Sequence, residues 1–182
     1  KRKEHVGYYL VDKGLEELER LARAYPFPQA HYHLAIAQLL NNDPTKALTS
    51  LGQAVSVDPN YTDALLLQAD LNLRKGNATP VITAMADLLR EKPQLGRAYV
   101  NLGQAYGMRR NFPEAINTYA RMAQVFPTNP VPYQLMGSSL VGMGRLAEAG
   151  KAFEKALEFA PEYLPAFEKL VELDIQEGKL TQ

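Results

Sequence analysis

Apolar side chains return every three to four residues along nearly the whole chain, as in Leu102, Ala105 and Tyr106 or Phe153, Ala156 and Leu157. That spacing is one face of an α-helix, and no stretch alternates apolar with polar residues as a half-buried strand would. The breaks between helical stretches are marked by proline. Each of the twelve prolines either closes a predicted helix or lies in a first turn, where its missing N–H breaks no intrahelical bond. Pro28, Pro130, Pro132 and Pro165 open one kind of helix, and Pro44, Pro80 and Pro113 open its partner. The pattern predicts about ten short helices joined by tight turns.

The closing prolines, Pro26, Pro59, Pro93, Pro127 and Pro161, are spaced by 33, 34, 34 and 34 residues, so one unit is repeated. Twenty-four residues before the last four stand Ala35, Ala69, Gly103 and Gly137, and twelve before stand Ala47, Val81, Ala115 and Ala149. Large residues hold other offsets: Leu51, Met85, Tyr119 and Phe153 at eight before, and His31, Leu65, Tyr99 and Tyr133 at twenty-eight before. Small against large is what two closely packed helices require. Seventeen residues after a closing proline come Gly76, Arg110, Gly144 and Gly178, which mark the turn inside each pair.

The run Tyr99-x-x-Leu102-Gly103-x-x-Tyr106, followed by Ala115-x-x-x-Tyr119 and Pro127, resembles the tetratricopeptide repeat. The resemblance covers residues 28–161 as four full units, with a lone second helix over about 9–25 and one more first helix over 162–178. It divides the chain into a tail and partial repeat at 1–27, repeats at 28–61, 62–95, 96–129 and 130–163, and a truncated fifth at 164–182. The implied fold is an all-α solenoid of stacked antiparallel helix pairs coiled as a right-handed superhelix. The second repeat fits least well, because Gln68 and Asn72 stand where large apolar residues are expected. Buried without partners, each would cost about 1–3 kcal/mol, so they are expected to hydrogen-bond or to lie at a loosened helix pair.

The resemblance also implies a concave groove lined by first helices that receives a peptide. The groove residues it implies are Tyr32, His33, Ile36 and Leu40 in the first repeat and Leu66, Asp70, Leu73 and Arg74 in the second. The third contributes Arg97, Val100, Asn101, Gln104 and Met108, and the fourth Gln134, Ser138 and Val141. Left in water, Ile36, Leu40, Leu66, Leu73, Val100, Met108 and Val141 form an apolar row of the kind that receives a partner; alternatively they pack against neighbouring first helices. The carboxylate cradle of chaperone-binding members is broken here, since Leu66, Asp70, Val131 and Leu135 surround Asn101. The asparagine ladder of another branch is reduced to the single rung Asn101.

Charge adds an exclusion. Twenty basic and twenty acidic residues cancel, so nothing draws the chain to nucleic acid or an anionic membrane, and no apolar run is long enough to span a bilayer. Cysteine is absent, which removes thiolate chemistry and leaves the compartment open. His31 and His33 point about 200° apart on a helix and cannot share a metal ion. Gly142-x-Gly144-x-x-Ala147 lacks the strand that a dinucleotide fingerprint needs. No catalytic, metal or cofactor site is expected, and the expected partner is a protein or peptide held by a non-catalytic scaffold. The alternative is the non-catalytic targeting region of an enzyme such as a glycosyltransferase, sulfotransferase or peptidase.

The last helix has no following partner in the sequence, so the stacking face containing Phe167, Leu170 and Val171 is expected to be partly bare. This reads as a piece of a longer array, and such an edge is expected to self-associate. Light scattering across a dilution series, on wild type and Phe167→Glu, checks this. A mass above the monomer that falls on dilution and in the variant is expected; monomeric masses throughout would refute it.

Overall fold

The structure, a computed structural model, describes residues 2–176, with side chains described over 13–176. Among the described residues it contains ten helices and no strand: α1 (Arg2–Ala24), α2 (Pro28–Leu40), α3 (Pro44–Val57), α4 (Thr62–Arg74), α5 (Ala78–Glu91), α6 (Gly96–Met108), α7 (Phe112–Val125), α8 (Pro130–Gly142), α9 (Leu146–Phe159) and α10 (Leu164–Gln176). The first helix starts at Arg2, earlier than the onset near residue 9 that the repeat pattern suggests. The prolines fall as expected, at N1 of α2, α3 and α8 and within the first turn of α5, α7 and α10.

The helices group into two compact units, residues 1–75 and 76–182. In the first, α2 packs against α3, while α1 lies on α2 and α4 on α3. Its centre is built from Ala35, Ala47, Leu51, Ala54, Ala64 and Leu71. In the second, each helix packs on the next from α5 to α10, and α8 also meets α10. Leu140, Ala149, Phe153, Ala156, Ala166 and Leu173 form the core at its C-terminal end. The division falls inside the second repeat, the one with the weakest core pattern. There the Asn72 side-chain amide donates to the Gln68 carbonyl at 2.9 Å, so the expected hydrogen bond for Asn72 is present.

The small-against-large rule has a direct geometric expression. A Cβ at Gly103 would fall 2.3 Å from the ring of Tyr119, and one at Gly137 would fall 2.4 Å from the ring of Phe153. Both rings are buried, and burial pushes the Tyr119 phenol far above its usual pKa. The turns inside the pairs repeat equally closely. Asn42, Gly76, Arg110 and Gly144 have φ of 58°, 82°, 56° and 73°, a left-handed conformation, and the last three are turn positions that the repeat marks. Gly178 lies outside the described residues. After three of these residues the next N–H reaches back five positions: Asp43 to Gln38, Asn111 to Tyr106 and Arg145 to Leu140, at 2.8–3.0 Å. These bonds satisfy carbonyls that the helix end would otherwise leave open. Asn42 was hidden from the seventeen-residue count because the first interval is 33 residues rather than 34.

Gly103→Ala and Gly137→Ala are expected to destabilise by about 1–3 kcal/mol through overpacking. Gly150→Ala, on α9 with open space at its Cβ, is expected to stabilise by about 0.5–1 kcal/mol. Urea or thermal unfolding of the three variants decides. Equal stability of the Gly103 and Gly150 variants would contradict the ring contact.

Candidate functional site

The predicted groove residues fall on first helices within each unit. In the first unit, α2 carries Tyr32, His33, Ile36 and Leu40, and α4 carries Leu66, Asp70, Leu73 and Arg74. Tyr32 packs edge-on against Tyr61, with ring centroids 5.5 Å apart, and meets the His33 ring at 5.6 Å. Burial, with the Asp63 carboxylate adding to it, raises the Tyr61 phenol above its usual pKa. Leu40 is 85% exposed, a large apolar side chain left almost wholly in water.

Asp70 and Arg74 line a cleft of about 430 Å³ formed with Leu39, Asn42, Pro44, Leu67, Leu71 and Lys75. Its leucines give it an apolar floor, while Asp70, Arg74 and Lys75 place both signs of charge on its edge. The Lys75 ammonium also donates to the Thr45 hydroxyl at 3.3 Å, which steadies the rim.

In the second unit, α6 carries Arg97, Val100, Asn101, Gln104 and Met108, and α8 carries Gln134, Ser138 and Val141. Ser138 and Val141 line a smaller cleft, of about 210 Å³, with Lys169, Glu172, Leu173 and Gln176 of α10. The Gln134 amide donates to the Ser138 hydroxyl at 3.0 Å, and Lys169 pairs with Glu172 at 2.5 Å. Met108 and Val141 are exposed, whereas Val100, Ile36 and Leu73 are half-buried.

Two of the expected groove residues are not surface residues. Leu66 is 7% exposed, so the exposed apolar row anticipated from the sequence is interrupted there, and Asn101, at 3%, does not face solvent. Leu66 lies one turn before buried Ala69, and Asn101 one turn from buried Ala98 and Ala105, so each shares the covered face of its helix. Tyr32, His33, Ile36, Leu40 and Leu73 do not line the first cleft, nor do Arg97, Val100, Gln104, Met108 and Gln134 line the second. The sequence reading missed Lys169 and Glu172. Continuing the 34-residue period one step beyond Leu135 and Ser138 reaches both. It also missed Lys75 and Asn42, which belong to turns rather than to a helix face. Among the described residues no three His, Cys, Asp or Glu side chains converge to hold a metal ion, and no helix is long and apolar enough to cross a membrane.

Family models described as tetratricopeptide repeat match residues 11–55, 41–79, 97–129 and 132–163. The chain belongs to the tetratricopeptide-repeat family. Protein CTR9 homolog of Arabidopsis thaliana is 26% identical over 125 residues, which is 68% of this chain and 12% of that protein. The chain thus spans only a small part of the curated relative it matches. Among solved structures, the crystal structure of MamA is 23% identical with a TM-score of 0.73, covering 88% of this chain and 94% of that one. TTC0263, a thermophilic repeat protein of the same family from Thermus thermophilus, is 23% identical with a TM-score of 0.67, covering 96% of each chain. YrrB, described as having an unusual peptide-binding site, is 11% identical with a TM-score of 0.73, covering 90% of this chain and 84% of that one. At these identities the likeness establishes the tetratricopeptide fold and nothing about ligands.

Phage-displayed peptides selected on the wild-type chain give the means to test the clefts as binding surfaces. For such a peptide, Arg74→Glu or Val141→Asp is expected to weaken Kd at least about tenfold by calorimetry, equivalent to about 1.4 kcal/mol. Both residues are exposed, so circular dichroism melts should match wild type.

Proposed function

We propose that the chain is a non-catalytic scaffold that binds a peptide or helical segment of a protein partner on the first-helix faces of its repeats. The observation that carries this reading is the α2/α4 cleft, which joins a leucine floor to a rim bearing Asp70, Arg74 and Lys75. An apolar floor takes up the partner's apolar side chains, and a rim of mixed charge fixes direction and register without favouring a polyanion. The neutral balance of the whole chain agrees with that selectivity. Membership of a repeat family built for protein contacts, and a structural relative described as binding peptide, support the class of ligand.

The exposed face of α10 bears on self-association. Leu164, Phe167 and Ile175 all stand in solvent. This bare surface supports contact between copies as a secondary property of the chain. Its reality rests on the dilution behaviour of Phe167→Glu.

Binding in the α2/α4 cleft predicts a specific pattern of loss. Replacing exposed Arg74 and Lys75 together, as Arg74→Glu/Lys75→Glu, is expected to abolish binding of the selected peptides in fluorescence anisotropy while leaving secondary structure intact. Peptides that bind this double variant and Val141→Asp as tightly as wild type would place the interaction elsewhere and overturn the proposal.

A further inference from the structure

The first repeat departs from the third at two positions on the buried side of its first helix. Twenty-eight and twenty-one residues before the closing proline stand Tyr99 and Tyr106 in the third repeat, but His31 and Gln38 in the first. Tyr99 is 2% exposed and fills its space, with the Arg121 guanidinium over its ring at 5.8 Å. In the first unit the smaller polar side chains leave a cleft of about 240 Å³ between α1, α2 and α3. It shares no lining residue with the α2/α4 cleft.

The lining of this cleft is unusually specific. His31 is 7% exposed, and its Nδ1 is buried with no hydrogen-bond partner. A buried ring nitrogen without a partner favours whatever group can bond it. The Ser50 hydroxyl donates to Gln38 Oε1 at 2.8 Å, so the amide oxygen is engaged and the Gln38 NH₂ remains the group to offer. Ala22 and Leu34, both buried, supply an apolar wall. The charges at the rim are already paired, Arg23 with Glu19 at 3.3 Å and Lys46 with Asp43 at 3.5 Å. A small anion or cation therefore meets balanced charge and gains little.

A ligand suited to this lining has a flat apolar body and one hydroxyl at its tip. A hydroxyl both donates and accepts, so it satisfies Nδ1 in either tautomer of His31. We propose that the cleft receives the phenol side chain of a tyrosine on a partner polypeptide, the His31 ring turning about its Cβ–Cγ bond so that the enclosed Nδ1 meets the hydroxyl. The guest ring takes up volume that the third repeat fills with its own tyrosines. The position held by Arg121 over Tyr99, six before the closing proline, is Gln53 here, and its planar amide lines the same cleft. This inference stands apart from peptide binding on the α2/α4 cleft.

The test follows the imidazole resonances of the whole chain by NMR during titration with N-acetyl-tyrosinamide, N-acetyl-phenylalaninamide and acetate, with exposed His33 as the internal reference. A saturable shift of His31 with the tyrosine probe is expected, with binding of the phenylalanine probe weaker by about tenfold, the worth of one hydrogen bond. His31→Tyr fills the cleft from within, so it is expected to raise the melting temperature and to abolish binding of the tyrosine probe. If that variant does not fold, exposed Gln53→Ala decides, with weaker binding expected. Arg74→Glu should leave the tyrosine probe unaffected, which separates this cleft from the other. Equal response to both aromatic probes, a stronger response to acetate, no shift at His31, or undiminished binding by the deciding variant would each overturn the assignment.

Discussion

The close approach of two helices at a residue without a side chain is the constraint on which the rest of this structure depends. At Gly103 and Gly137 the absence of a Cβ admits the rings of Tyr119 and Phe153 from the partner helix. Dispersion contacts between a ring and a bare backbone are individually small, but they are made over the whole ring face and only at one register. That register fixes how each first helix is turned about its axis. The rest of each first helix is then left to neighbouring helices and solvent.

Functional surfaces in such a stack are by-products of what the packing does not consume. Leu39, Leu67 and Leu71 line the α2/α4 cleft, yet Leu71 also belongs to the core and Leu39 and Leu67 pack against it. One row of side chains thus serves both as stabilising contact and as the floor of the cleft. In the charged rim Asp70 stands between the floor leucines, and Arg74 and Lys75 follow at the end of α4 and just beyond it. In the proposed function, orientation and affinity are divided between different residues, so the rim can change without unsettling the stack.

The same logic works in reverse in the first repeat. Where the packing row substitutes His31 and Gln38 for tyrosines, the interior itself becomes a surface with hydrogen-bonding needs. Ser50 and Gln38 answer each other, but His31 Nδ1 is left over. A repeat architecture tolerates this because its units are stabilised locally, so a polar cleft in one need not weaken those farther away.

The helical period, the proline-closed units and the small-against-large offsets were legible in the sequence because each is a local requirement repeated four times over. The left-handed turns at Gly76, Arg110 and Gly144 were legible for the same reason. The outward residues were not, because polarity and period assign a side chain to a face but do not say how far a neighbouring helix covers it. Hence Leu66 and Asn101 proved buried, and Lys75 joined a cleft for which no periodic signal had named it. The sequence by itself determined which backbone segments pair and at what register, since that depends on atoms present or missing at single positions. Only the tertiary structure decided which polar groups were left without partners and where empty volume gathered, since both depend on several helices meeting at once.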